Sequence, residues 1–181
     1  ISSHERIKQI KERRQREGGH LHPMAAWLIQ EGLKTFGIRM ERHNKNAVLL
    51  AHFLNSKKCR PYITKVYYPG LPAHPGHAAA REQMRTPYGK PGFGGMVCFE
   101  LACQKFVKSF TETLAQYLEL AVSFGSTKSM FSVPALQIHG SLPPAERTAL
   151  GISDTLIRFS VGTEDFKDIK HAFQEAFKSL L

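Results

Sequence analysis

The hydrophobic patterning of this chain starts helical and then switches between helix and strand periods, which points to an α/β fold. Long helices come first, then a small sheet with helices over one face. Three features carry that reading. Apolar residues up to Leu54 keep helical spacing. From Ile63 onward, short β-prone runs alternate with amphipathic segments. Pro-, Gly- and His-rich stretches separate them. Connections of helix length leave the strand pairing open between parallel and antiparallel. A chain of 181 residues can bury one core, and an apolar share of 42% argues against general disorder.

His4 to Glu17 reads as a helix, with Ser2 or Ser3 as N-cap and Gly18-Gly19 at its end. His20-Leu21-His22 is a linker. Pro23 suits the first turn of a second helix, carried on by Ala25, Ala26, Leu28 and Ile29. Gly32 and Gly37 weaken that helix, and Thr35 is the N-cap of the next. Phe36 to Leu54 is then a long amphipathic helix with Met40, Ala47, Leu50 and Leu54 as its buried stripe.

Ile63 to Tyr68 is a strand by β-propensity. A rigid loop of Pro, Gly and His follows it, and Ala78 to Met84 is a short helix. Arg85 to Gly92, with two Pro and two Gly, is an ordered loop or a flap. Gly95 to Leu101 is a second strand, and Gln104 to Tyr117 a helix with Phe106, Phe110 and Leu114 on one face. Leu118 to Val122 is a third strand, broken by Ser123 to Ser126. Pro143-Pro144 opens a short helix through Leu150. Leu156 to Val161 is a fourth strand. Thr163 caps a last helix in which Phe166, Ile169, Phe173, Phe177 and Leu180 keep helical spacing. Residues 1–55 thus form a helical segment and residues 56–181 an α/β domain.

The net charge is +10, and much of it is local: Arg6, Lys8, Lys11, Arg13, Arg14 and Arg16 stand against Glu5 and Glu12. No stacking aromatics interleave these charges, so a solvated helix face is favoured over a nucleic-acid module, which stays a distant alternative. No apolar run approaches the roughly 20 residues of a membrane span. Cys59, Cys98 and Cys103 are odd in number and lack metal-ligand spacing, which suits a reducing, cytoplasmic setting. Cys98 is expected in the core. The pairs His20/His22 and His74/His77 have no Cys or carboxylate at zinc spacing, so His74 is expected to order its loop rather than bind metal.

Two places could carry chemistry. Arg158 lies inside the apolar run Leu156-Ile157-Arg158-Phe159, where a charge is costly without a partner. Its fork matches a carboxylate, either a ligand's or that of Asp154 or Glu164. Ser123-Phe124-Gly125-Ser126 ends a strand in small residues that permit close backbone approach to a ligand.

Three stretches together resemble the pyridoxal-phosphate (PLP) enzymes of cysteine and methionine metabolism. They are Val66-Tyr67-Tyr68-Pro69-Gly70-Leu71-Pro72-Ala73-His74-Pro75-Gly76-His77, Gly92-Phe93-Gly94-Gly95-Met96-Val97-Cys98-Phe99-Glu100-Leu101, and Leu156-Ile157-Arg158-Phe159-Ser160-Val161-Gly162-Thr163-Glu164-Asp165. The resemblance covers most of the chain but only the C-terminal part of the family's usual length. It implies the small domain of PLP fold-type I, with a mainly antiparallel sheet. It places the Schiff-base lysine upstream of Ile1, and residues 1–55 as the segment joining to the cofactor domain. It implies Arg158 as the clamp on the substrate α-carboxylate, with Val122, Ser123 and Phe124 lining the substrate site. The implied cofactor is PLP, and the implied partners are an amino-acid substrate, the upstream cofactor domain and further subunits of a homotetramer.

The reaction it implies is C–S bond formation or cleavage, as in cystathionine γ-synthase and γ-lyase. O-acylhomoserine sulfhydrylase and methionine γ-lyase types are alternatives, as is a stand-alone assembly domain. The chain departs from the family pattern at Val122, a slot often filled by Glu in cystathionine-handling members. It departs again at Gly125-Ser126 and Lys128, where many members have two Gly and then an acidic residue. Ser126-Thr127-Lys128 imitates the Schiff-base neighbourhood, but its flanks match the Ser123 loop, so Lys128 is read as solvent-facing. His139 matches a His common in the family, with a role that is structural or in support of the residues lining the site.

Overall fold

The computed structural model describes residues 2–86 and 88–181. Pro87, in the expected Arg85–Gly92 loop, lies outside the described residues, as does Ile1. Seven helices and five strands are described in the order α1 (His4–Glu17), α2 (Pro23–Lys34), α3 (Phe36–Leu54), β1 (Ile63–Tyr67), α4 (His77–Gln83), β2 (Met96–Leu101), α5 (Lys105–Leu114), β3 (Glu119–Leu120), β4 (Met130–Ser132), α6 (Pro144–Ala149), β5 (Leu156–Ser160) and α7 (Phe166–Lys178). The chain divides into two compact units after Phe36, earlier than the expected boundary at residue 55. The reason is that Ala47, Leu50, Ala51 and Leu54 of α3 belong to the core of the sheet unit.

In the first unit, Ser3 caps α1 by accepting from the Arg6 N–H at 3.4 Å, and Gly18, at φ 85°, ends it. Arg13 pairs with Glu17 one turn on, at 2.8 Å. Pro23 opens α2, and His22 caps it, its Nδ1 accepting from the Met24 N–H at 3.2 Å. Thr35 is the C-cap of α2 and not the lead into α3, because its φ of −102° and ψ of 2° lie outside the extended region an N-cap adopts. Trp27 and Leu28 are exposed. Of the stripe expected on α3, Ala47, Leu50 and Leu54 are buried and Met40 is half-buried.

The second unit is built on a five-stranded sheet in the order β1-β2-β5-β4-β3. All pairings are antiparallel except β3 with β4. Alternation assigns the faces. Val97, Phe99 and Leu101 of β2, with Ile157 and Phe159 of β5, point into the core. There Phe99 and Phe159 meet Phe110 of α5 and Phe173 of α7, with ring centroids 5.1–6.0 Å apart. Such aromatic pairs add specific geometry to a large burial of apolar area.

The other face carries Met96, Cys98 and Glu100 of β2 and Leu156 and Arg158 of β5. Cys98 is therefore half-buried opposite the helices, not in the core: it stands one residue out of phase with Val97 and Phe99. Strand β4 was not foreseen. It has three residues, all buried, so neither length nor alternation marks it.

Side chains of α3 clasp the turn after β5. Asn46 Nδ2 donates to the carbonyls of Gly162 (3.1 Å) and Glu164 (2.9 Å). Arg42 donates to those of Thr163 and Glu164, and His43 Nδ1 donates to that of Val161 at 2.6 Å. The Pro/Gly/His loop runs through successive turns, Leu71 N to Tyr68 O, His74 N to Leu71 O and His77 N to His74 O. Gly70 leaves space for the Tyr68 ring, which a Cβ would strike. His74 orders the loop as expected, accepting from Gly76 N at 3.1 Å. His77 Nδ1 donates to the Pro69 carbonyl at 2.7 Å, and its ring stacks on Phe93. Around Pro87, Thr86 N donates to Lys90 O (2.8 Å) and Gly92 N to Met84 O (2.8 Å).

Candidate functional site

Arg158 stands at the middle of β5, on the sheet face away from the helices. Its register partners are Cys98 on β2 and Ser132 on β4, and Tyr67 of β1 lies beyond Cys98 in the same row. The guanidinium reaches the chain that leaves β3. Nη2 donates to the Val122 carbonyl at 2.7 Å, and the guanidinium carbon sits 5.3 Å from the centroid of the Phe124 ring. A guanidinium held over an aromatic face at this distance is attracted by the ring's quadrupole.

Neither carboxylate that could have neutralised Arg158 does so. Asp154 pairs with Arg147 Nη2 at 2.8 Å. The Glu164 carboxylate accepts from the backbone N–H and the hydroxyl of Ser129. Among the described residues, Arg158 has no carboxylate partner. An arginine carries five donors, so most of its fork remains for a ligand.

The segment from Val122 to Ser129 lies alongside β5 and the turn after it, tied at four levels. Val122 O accepts from Arg158, and Gly125 N donates to Ser160 Oγ at 3.2 Å. Thr127 O accepts from both the N–H (2.8 Å) and the hydroxyl (3.1 Å) of Thr163. Ser129 binds Glu164. Gly125 adopts φ 84°, which excludes most other residues there. Because Thr163 is occupied with Thr127, the N-cap of α7 is Asp165, whose side chain accepts from Lys167 N at 2.9 Å; the expected cap at Thr163 is corrected. Val122, Ser123 and Phe124 are exposed. The structure thus brings Arg158 together with Val122 and Phe124, and Ser123 lies between those two in the chain. Strand β3 is shorter than expected, Glu119–Leu120, ending two residues earlier, and Ala121 N donates beyond it to Phe131 O.

Electrostatics link the row. Burial pushes the Cys98 thiol up, and the Arg158 charge pulls it partly back. Burial also raises the Tyr67 phenol, helped by its hydrogen bond to Glu100 Oε1 at 2.7 Å. Ser132, buried at 1% exposure beside Arg158, has a hydroxyl without a hydrogen-bond partner among the described residues. Sequence reasoning missed Ser132 because it missed β4. It also missed the Glu164–Ser129 tie, although a carboxylate directly after Gly-Thr was a visible signal. Lys128 is exposed, and its N–H is turned back onto Ser126 Oγ at 3.2 Å. His139 is half-buried in a turn, its N–H on Pro134 O at 2.9 Å.

A carboxylate fits this donor set: a fork with unused donors, an aromatic face and an exposed small-residue segment. Lys128 itself is open to solvent. A PLP lysine works in a closed site where other groups hold the phosphate and ring.

Residues 1–178 match the family of Cys/Met metabolism PLP-dependent enzymes. The chain is 44% identical over 161 residues to a cystathionine beta-lyase of Lactococcus lactis subsp. cremoris, covering 89% of this chain and 40% of the relative. It is 39% identical over 163 residues to a cystathionine gamma-lyase of Bacillus subtilis, covering 90% and 40%. The crystal structure of cystathionine gamma-lyase from Lactobacillus plantarum complexed with L-serine superposes with a TM-score of 0.81 at 35% identity, covering 99% of this chain and 44% of that one. The chain therefore spans well under half the length of the relatives it matches.

Proposed function

The chain belongs to the Cys/Met metabolism PLP-dependent enzymes, and from that membership we propose that it supplies the amino-acid carboxylate site of a complete enzyme acting on C–S bonds of sulfur amino acids. The carrying observation is Arg158: a guanidinium without a carboxylate partner among the described residues, held by Val122 O and lying over the Phe124 ring. The substrate α-carboxylate takes the remaining donors of the fork, and Ser123 closes the site between Val122 and Phe124. Substrates of the cystathionine type, thioethers ending in an α-amino acid, suit an open, partly apolar wall of this kind.

PLP supplies the electron sink in this family, and its lysine lies in the portion of the enzyme that this chain does not span. The chain by itself forms no Schiff base. The exposed apolar side of α2, with Trp27 and Leu28, docks onto that remaining portion and onto neighbouring subunits of a tetramer. No helix among the described residues is long and apolar enough to cross a membrane. The three free cysteines suit a cytoplasmic setting.

Arg158→Ala in the complete enzyme tests the clamp. Losing one charge-assisted contact of about 2–3 kcal/mol should raise KM for the amino acid by roughly 30- to 150-fold. A KM within about twofold of the parent would sink the assignment.

A further inference from the structure

We propose that Glu164 is the positioning residue of the carboxylate site, acting on Arg158 through the Val122–Ser129 segment; this rests on the reading of Arg158 given above. Glu164 touches neither the guanidinium nor the exposed residues Val122, Ser123 and Phe124. It is instead the point where the rigid half of the unit grips the segment. Its backbone carbonyl is held from α3 by Arg42 Nη2 at 3.1 Å and Asn46 Nδ2 at 2.9 Å. Its carboxylate takes the Ser129 N–H on one oxygen and the Ser129 hydroxyl, at 2.9 Å, on the other.

Ser129, buried at 1% exposure, passes the grip on: its Oγ also accepts from Gly162 N at 2.8 Å. Gly162 is part of the device. A Cβ there would strike the Glu164 carboxylate and Ser129 N and come within 2.5 Å of Thr127 O. The contact is closed to any side chain because carboxylate, serine and segment backbone fill that space.

The consequence is directional. With Ser129 and Thr127 fixed at one end, the segment has one path back to Ser160 and Arg158. That path sets where Val122 O and the Phe124 ring stand, and those two groups orient the fork. Removal of the carboxylate leaves the Ser129 N–H and hydroxyl, both buried, without their acceptor. The segment is then expected to loosen at Gly125 and Val122 while the sheet core stays intact.

Two measurements test this on Glu164→Ala, Glu164→Gln and Ser129→Ala. Amide hydrogen exchange on this chain should speed up by about tenfold or more at Gly125 and Ser129 in Glu164→Ala, with Phe99 and Phe159 unchanged. Glu164→Gln, whose amide can still accept from Ser129 N–H, should restore most of the protection. In the complete PLP-loaded enzyme, Glu164→Ala should raise KM about tenfold, with kcat within about twofold, for the α-amino acid and not for its carboxamide analogue. A residue with only a general structural role would weaken both substrates alike. If Glu164→Ala fails to fold, Ser129→Ala, which keeps the carboxylate, should show the same local loosening.

Unchanged exchange at Gly125 and Ser129 in these variants overturns the proposal. So does an equal loss on acid and carboxamide. Arg158→Ala keeps the two ideas apart: if it leaves the preference for the acid intact, the clamp itself is wrong. If it abolishes that preference while Glu164→Ala does not, only the positioning role is.

Discussion

Replacing Asn46 by Asp changes one atom and should convert a buried clasp into a pH-dependent fault. Asn46 is fully buried, and its Nδ2 donates to the carbonyls of Gly162 and Glu164. A neutral aspartic acid can donate to only one of them. Losing one net hydrogen bond costs about 1–2 kcal/mol, which is the penalty expected near pH 4. A charged aspartate would face two carbonyl oxygens in a dry site, so its folded pKa rises above the unfolded value near 3.9. Burial shifts such groups by up to about 3–5 units. The Arg42 guanidinium, which donates to the same Glu164 carbonyl, offsets part of that, which places the shift near the lower end.

The sign follows from linkage. The folded form holds its proton more tightly, so stability is fully present below the unfolded pKa and is lost as pH rises through the folded one. At about 1.4 kcal/mol per unit, roughly 4 kcal/mol more should disappear between pH 4 and pH 7, after which the loss levels off. Urea unfolding of variant and parent at matched pH values reads this directly. A difference between the two that stays flat over that range would mean the carboxylate is solvated. Asn46 would then not be the clasp between α3 and the turn after β5.

Two further outcomes follow from the open face of the sheet. Cys98 should react with a thiol reagent along a pH profile whose midpoint lies above the ordinary thiol range, because burial raises it. Arg158→Ala removes the opposing charge, so peptide mapping should find that midpoint higher still, and an unchanged or lowered midpoint contradicts the pairing in register. Incubation of the chain with PLP and then borohydride should leave Lys128 without stoichiometric label, because its exposed site has nothing to hold phosphate or ring; full labelling there would refute this.

The parts of the fold that the sequence exposed are those governed by local periodicity. Helices α1, α3 and α7, strands β2 and β5, and the aromatic core of Phe99, Phe110, Phe159 and Phe173 follow from spacings of about 3.6 and 2 residues. The parts it concealed are those decided at long range. Strand β4 is recognisable only through its neighbours β5 and β3, because all three of its residues are buried. Cys98 looked like core because every residue around it is apolar or aromatic except Glu100; only pairing with β5 shows which phase faces the helices.

The candidate site divides along the same line. Arg158 was legible because a charge interrupting an apolar strand is conspicuous in one dimension. What orients it was not, since Val122, Gly125, Thr127 and Ser129 meet their partners 35 or 36 residues later in the chain. Apart from Arg158 itself, those partners are hydroxyls, a backbone N–H and a carboxylate, groups that nearly every residue or many residues could offer. Composition therefore cannot single them out. Gly162 is the exception that argues the point: its motif neighbours announced a family, but the need for glycine there is the absence of room for a Cβ between Glu164, Ser129 and Thr127. The identity of the residue was visible in the sequence, and its cause lies in a contact the sequence does not display.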